Sequence, residues 1–454
     1  MTAATAATTR AQAAPTEPAG PQQGYRDLFE AGGWARRGPG FLREIRTEAI
    51  AAFARQGFPT TKDEAWRHTS VRELTRLPYA PAAAPARQPE EAEVAPYRID
   101  GAAELVFVDG HHVPGLSRPA PPDRDVRLLP LSAALSKPGD LLEEHLARHA
   151  GDDPFVALNA AFLQDGAFLD VAPGADAGLV HLLHVATEPT APTASHLRHL
   201  LLFGAGSRGT VVESYVGLPS GAASLTTAVT ELVAGADSEV RHVKLQREGL
   251  HAFHVGRLAV RMDRGARAQD LLVSVGAQLA RNEVDGVLGG EGAELSLDGL
   301  FLATGRQHVD CPTRVEHAVP HTTSRELYKG VLDGAAHGVF LGNVKVQAGA
   351  VGTVSSQTNR NLLLSTHAGV DTTPQLEIHN DDVQCSHGST IGALSRDALF
   401  FLRSRGIGEE GARLLLTQAF AHEVLERAPE GLKPLLDDLL AQWFACRKVQ
   451  GAMA

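Results

Sequence analysis

The spacing of hydrophobic and polar positions changes along this chain, and each change predicts a different kind of element. From about residue 25 to 75, apolar residues recur every three or four positions, first in YRDLFEAGGW and then in GFLREIRTEAIAAFARQGFP, where Gly57 and Pro59 close the run. That period predicts amphipathic helices. EAWRHTSVRELTRL reads as a turn into a short helix, and PYAPAAAPARQPEEAEVAP (78–96) has the composition of a linker. From Tyr97 the period shortens. RIDGAAELVFVDGHHV alternates and breaks at glycine, which predicts a strand and a tight turn. DLLEEHLARHA (140–150) is a helical interlude.

In the middle of the chain the pattern repeats. A Gly-Ala pair recurs at Gly174, Gly204, Gly235, Gly265 and Gly292, at spacings of 30, 31, 30 and 27 residues, with further pairs at Gly334 and Gly349 out of step. Between the pairs lie alternating, β-branched and leucine-rich segments such as HLRHLLLF, TVVESYVGL and EVRHVKLQ. A fixed period of this length with two-residue alternation predicts stacked coils, each burying its face against the next. Residues 175–395 are therefore expected to form a β-solenoid, a parallel β-helix. After it the helical period returns. SRDALFFLRSRG has Ser395 placed as an N-cap and Gly406 just past the end. EEGARLLLTQAFAHEVLERA opens on acidic residues that suit a helix N-terminus. Leu414, Leu415, Gln418, His422 and Leu425 fall along one side of that helix, which predicts an amphipathic C-terminal bundle. A last segment starts near Pro429.

The expected fold is thus mainly β. A disordered Ala/Thr/Pro-rich tail (1–23) leads to a helical region and linker (24–96). A mixed α/β lead-in (97–174), the β-helix core (175–395) and a C-terminal helical region (396–454) follow. Composition narrows the function. A net charge of −11 without a Lys/Arg-rich run argues against nucleic acid and anionic membrane as partners. Three cysteines, Cys311, Cys385 and Cys446, with no CxxC do not make a disulfide framework and point to a reducing compartment, most simply the cytoplasm. No apolar run reaches the roughly 18 residues of a membrane span, and the N-terminus lacks the features of a secretory signal.

The chemistry-bearing candidates are few. GAGSRG (204–209) matches a dinucleotide fingerprint but opens the strand-like TVVESYV where that fingerprint needs a helix, so it reads as a solenoid turn. No GxxxxGK[ST] occurs. Ser386 and His387 are adjacent and point to opposite faces of a strand, which disfavours a triad with Asp382. His308, Asp310, Cys311, His317 and His321 read as surface or turn-stabilising residues before a metal site. The densest stretch is HNDDVQCSHGST (379–390). If extended, it places Cys385 and His387 on one face about 7 Å apart. Thiol and imidazole together suit iron or zinc, but two ligands leave a four-coordinate site open. The alternative is a half-buried cysteine beside a satisfied histidine.

The segments SRELYKGVLDGAAHGVFLGNVKVQ (324–347), SSQTNRNLLLS (355–365) and PQLEIHNDDVQCSHGSTIGAL (374–394), followed by LFFLRSRGI, resemble the SufB/SufD family of iron–sulfur cluster assembly proteins. EAWRHTSVREL (64–74) and LNAAFLQDGAFLDVAPGA (158–175) extend the likeness. Within the family the chain is similar to the SufD type, since Cys385-Ser386-His387-Gly388-Ser389-Thr390 stands where the SufB type has Glu-His-Glu-Ala-Thr. Ser389, Phe401 and Val351-Gly352 depart from the usual pattern. The resemblance implies a right-handed parallel β-helix between helical ends. It also implies a non-catalytic scaffold of the SUF system, paired with a SufB-type sister and a SufC-type ABC ATPase docked on the C-terminal helices, or self-paired as a homodimer when alone. His387, with Cys385 beside it, is then expected to supply one side's ligands to a transient cluster formed at the sister interface. Reduced flavin is associated with such complexes, but no residue here assigns its site. Two rival readings remain at this stage: a β-helix carbohydrate-active enzyme, and a structural solenoid with no metal role.

Overall fold

The computed structural model describes residues 21–451 except 78, 86, 120–124, 188–190 and 219–222, with side chains described from 22 to 445. Two sheets of ten strands each dominate the described residues. Sheet A runs through Ala167–Val171, Thr193–Phe203, Ser224–Ala234, Ala252–Met262, Leu279–Leu288, His308–His317, His337–Val346 and Gly369–Ile378. Sheet B runs through Ala103–Val108, Asp176–Ala186, Arg208–Gly217, Glu239–Arg247, Arg267–Ser274, Glu294–Ala303, Thr323–Leu332, Thr353–Leu363 and Val383–Gly392. Consecutive strands alternate between the sheets, and neighbours within a sheet pair in parallel. The result is a β-solenoid of about seven turns, as the Gly-Ala period predicts.

The period itself has a structural cause. Gly174, Gly204, Gly235, Gly265, Gly292 and Gly349 all lie where the chain crosses from sheet A to sheet B. These turns stack so closely that a side chain at Gly235 would start 2.7 Å from the Phe203 carbonyl oxygen. Gly334 is out of step because it lies on the opposite crossing, from sheet B to sheet A. Between Gly292 and Gly349 one sheet A-to-B crossing has no Gly-Ala pair, and His321 takes the positive φ of 56° there. GAGSRG is one of these turns, as its sequence context suggests.

Helices cover the outer faces. Pro21–Ala31 and Gly40–Gln56 form at the expected place, and Gly57, at φ 70°, ends the second by donating its N–H to the Phe53 carbonyl. Tyr25, Phe53, Phe58 and Phe162 meet edge-on at centroid distances of 5.0–6.1 Å. Their cluster packs on Leu225, Phe253, Val255 and Leu279 from the outside of sheet A. The expected tail is corrected at its end, because residues 21–23 belong to the first helix, while 1–20 fall outside the described residues. The linker is shorter than its composition suggests. Ala80–Pro81 pairs with Thr193–Phe203, and Glu91–Val94 is helical with a capping box between Glu90 and Glu93.

At the other end, Ser395 caps Arg396–Ser404 by accepting the Ala398 N–H at 3.2 Å, and Gly406 follows at φ 86°. Glu409–Leu425 and Lys433–Gly451 lie against the outer face of sheet B. The packed stripe on Glu409–Leu425 overlaps the side marked out in the sequence only at Leu425 and the partly buried Leu414. Ala412, Thr417, Ala421, Val424 and Leu425 are buried, while Leu415 is 46% exposed. Small residues let this helix sit close to the sheet, and leucine count alone does not reveal that. Lys329, buried on the outer face of sheet B, reaches the Glu423 carboxylate and donates to the Phe420 carbonyl at 2.9 Å.

Close backbone stacking makes the turns intolerant of added atoms. A Cβ at Gly290 would lie 1.9 Å from the Arg264 nitrogen, whereas one at Gly431 would meet nothing within 4 Å. Gly290→Ala is expected to lose roughly 1–3 kcal/mol and melt several degrees lower by circular dichroism, with Gly431→Ala close to wild type.

Candidate functional site

The two ends of the solenoid differ. At the start, Val126–Pro130 pairs antiparallel with Ala167–Val171, and the hairpin Ala103–Val108/His111–His112 turns back on itself through Asp109 and Gly110. At the finish, Gly369–Ile378 and Val383–Gly392 are the last strands of their sheets, and no further strand pairs with either among the described residues. Parallel register stacks residues of successive rungs in columns, so the last rung's inward residues look into the mouth of the lumen.

Two columns end in the predicted ligands. One reads Leu295, Ser324, Ser355, Cys385, and the other Leu297, Glu326, Gln357, His387. Ser355 and Gln357 are buried beneath them. Cys385 is half-buried against Val344, Val346 and Ala350, and His387 is exposed. The strand prediction for DVQCSH therefore holds, and both residues stand on the lumen side of one open rung. Ser386 points the other way. The rest of HNDDVQCSHGST builds the turn before that strand. His379 Nε2 lies 2.8 Å from Glu377 Oε1, Asn380 donates to the Ala348 carbonyl at 2.6 Å and accepts the Asp382 N–H at 2.9 Å, and Asp382 accepts the Gly352 N–H at 2.8 Å. Among the described residues, no group of three or more His, Cys, Asp or Glu is disposed to hold a metal ion.

Electrostatics at the mouth are mild. Burial pushes the Cys385 thiol above its ordinary pKa, and a backbone hydrogen bond from Ser355 opposes the shift. Two rungs inside, Glu326 accepts from Thr313 Oγ1 at 2.6 Å and from Gln357 Nε2 at 3.2 Å. Burial raises its carboxyl to about 7 against these bonds.

The second histidine-rich stretch does not assemble. His308 and Asp310 face outward from their strand, where Thr69 bonds both at 2.9 and 2.6 Å, while Cys311 and His317 face the lumen. His321 is the turn residue already described.

Sequence reasoning missed a charged zone deeper in the lumen. His242 lies 2.6 Å from Asp270 through Nδ1 and 3.0 Å from Glu213 through Nε2. Burial works against its charge, but the two carboxylates raise its pKa to about 9. Tyr215 donates to Glu213 at 2.6 Å, and burial lowers the pKa of the neighbouring Lys244. Beside them is a cavity of about 20 Å³, space enough for one water. Glu213 between Val211 and Tyr215, and Asp270 between Ala268 and Leu272, do interrupt inward apolar faces, but nothing in the sequence says that their strands meet.

The SufBD core domain of SUF-system FeS cluster assembly matches residues 184–420, and the SufBD N-terminal region matches 21–177. The chain belongs to the SufBD family. Its relatives include the iron–sulfur cluster assembly protein SufD of Escherichia coli, 30% identical over 90% of this chain and 94% of that one. A SufBD family protein of Synechocystis is 29% identical over 86% and 88%. The chloroplastic protein ABCI7 of Arabidopsis thaliana is 32% identical over 52% of this chain and 50% of its own. The family and the solenoid thus agree with the sequence reading, and the protein is an iron–sulfur cluster assembly protein homologous to SufD. No helix among the described residues is long and apolar enough to cross a membrane.

Glu326 gives a pH prediction. Its folded pKa of about 7 lies above the ordinary 4.5. The native state therefore binds the proton more tightly, and this contribution to stability, complete below about pH 4.5, is lost as pH rises through 7. Glu326→Gln removes the ionisable group and keeps the shape. It is expected to melt above wild type at pH 8, by up to roughly 3 kcal/mol, with the gap closing by pH 5.

Proposed function

We propose that this SufBD family protein is a non-catalytic scaffold whose last rung is one half of an iron–sulfur assembly site. The observation that carries this is the final strand of each sheet, unpaired on its outer edge among the described residues, with Cys385 and His387 in the open lumen between them. Unpaired strand edges are templates for another chain. A second solenoid of SufB type meeting this edge would bring the ligands that two residues lack. Iron and sulfide are cargo in this reading, held by His387 through a neutral imidazole nitrogen and by Cys385 once its proton is displaced. The cytoplasm, with free thiols, is the compartment it fits.

The C-terminal helices supply a second surface. Phe400 and Phe401 are 75% and 56% exposed on Arg396–Ser404, directly after the last strand, and Leu415 is exposed nearby in sequence. Apolar groups of that size left in water suit a protein partner, and a SufC-type ATPase is the partner this family reading calls for. Lys329 and Glu423 tie the helices to sheet B, so force applied there reaches the solenoid. Membership of the SufBD family displaces the carbohydrate-active reading, and a purely structural solenoid becomes the outcome to test against.

The test is anaerobic co-purification with a SufB-type and a SufC-type subunit. Wild type is expected to carry iron and the absorbance of a cluster. His387→Ala is expected to assemble but fall to background iron. A variant that keeps full iron sinks the ligand assignment. Phe400→Ala/Phe401→Ala is expected to lose the ATPase and keep the sister.

A further inference from the structure

We propose that Gln357 is the positioning residue for His387. In this arrangement it accepts the N–H of the inward ring nitrogen, so that the other nitrogen presents its lone pair to the mouth. The inference rests on the reading of His387 as a ligand and adds the device that aims it.

Gln357 lies directly beneath His387 in the same lumen column. Its side chain is fixed. The Nε2 group donates to Glu326 Oε1 at 3.2 Å, and above its pKa of about 7 the Glu326 carboxylate offers acceptors alone, so the amide nitrogen must face it. Across the lumen the amide lies against Gly342, where a Cβ would come within 2.2 Å of Nε2. With the nitrogen committed downward, the sense of the amide is set. The remaining atom, Oε1, is buried and has no hydrogen-bond partner. An unmet buried acceptor costs roughly 1–3 kcal/mol, so a donor reaching it from above is favoured.

Neighbouring columns sharpen the assignment. Ser355, beneath Cys385, already shares a 2.8 Å hydrogen bond with Ser324. Asn361 also has an unmet buried oxygen, but the residue above it is Ile391, which has no donor on its side chain. Gln357 is the member of these three with an unspent acceptor under a side chain able to donate. A neutral imidazole has one N–H and one lone pair. Holding the N–H inward selects the tautomer and directs the lone pair outward, the arrangement that partners of ligating histidines commonly impose.

The test uses the full chain carrying ¹⁵N-labelled histidine, at pH 8, with long-range ¹H–¹⁵N spectra. His387 signals are identified by their loss in His387→Ala. Wild type is expected to show one tautomer, with one pyrrole-like and one pyridine-like nitrogen. Gln357→Met, which keeps the length without the acceptor, is expected to give a tautomer mixture. Gln357→Glu, which restores an acceptor oxygen, is expected to return the single form. A mixture already present in wild type overturns the proposal without any variant, and so does a single tautomer that survives Gln357→Met. In the assembled complex, Gln357→Met should release ferrous iron to a chelator about 10-fold more readily. Iron that depends on His387 while its tautomer ignores Gln357 leaves the functional reading standing and removes this one. A tautomer governed by Gln357 in a complex that keeps iron after His387→Ala does the reverse.

Discussion

The parallel backbone ladder is the constraint on which the rest of this molecule depends. Each rung's N–H and C=O groups are met by the rungs on either side, so a solenoid is stable in its interior and unfinished at its ends. An end can be closed by strands that reverse direction or left open to water or to another chain. This protein does both. Antiparallel strands at Val126–Pro130 and His111–His112 close the start, and among the described residues the finish stays open in both sheets. An open edge is an aggregation hazard unless its composition discourages casual pairing. The final strands are accordingly rich in Asp, Thr, Gln, Glu, Ser and His in place of the long apolar runs of the middle strands. On the proposed reading, what remains is an edge suited to one matching partner.

The same register that stacks backbone also layers the lumen. The column that holds His242 and Asp270 continues through Leu297 to Glu326, Gln357 and His387. Leu295 and Phe301 share a strand with Leu297, and Val284 and Leu288 lie on the strand before it, so an apolar layer stands between the deep charged zone and the polar mouth. Deep in the lumen, His242 and its carboxylates form an enclosed, charged network whose members satisfy one another. At the mouth, Glu326 has its carboxyl raised to about 7 by burial and Gln357 keeps an unspent acceptor. The first arrangement specifies which side chains meet inside a long, repetitive core. The second leaves chemistry for a partner to complete.

Much of this was legible in the sequence because the repeat is built on glycine. Stacked turns exclude a Cβ at Gly235, and Gly174, Gly265 and Gly292 take positive φ, so the coil period was printed directly in the residues. The alternation of DVQCSH placed Cys385 and His387 on one face for the same elementary reason. Features that depend on contacts between rungs were not legible. The outward turn of Leu415 follows from how closely Ala412, Thr417 and Ala421 let a helix approach a sheet. The ionic zone around His242 comes from three strands brought together by register, and in the sequence its members are single charges set about 30 residues apart. Gln357 looked like one polar residue among many in SSQTNRN until the column above it was known.

The raised pKa of the Cys385 thiol bears on why such a site would hold its cargo only briefly. A resident metal site lowers the pKa of its thiol in advance, with nearby cations or a helix N-terminus, so that little is spent on losing the proton. Here burial does the opposite, and a single backbone hydrogen bond is what opposes it. Iron bound at Cys385, as proposed, would have to displace a proton held more tightly than usual, which weakens the affinity. His387 is exposed on an edge that is unpaired among the described residues, so as a ligand it would not enclose the metal. Each half of the pair is thus a poor site alone. On the proposed reading, strength would come from closure by another chain and disappear when the two separate, which is the behaviour required of a surface where a cluster is built and then given away.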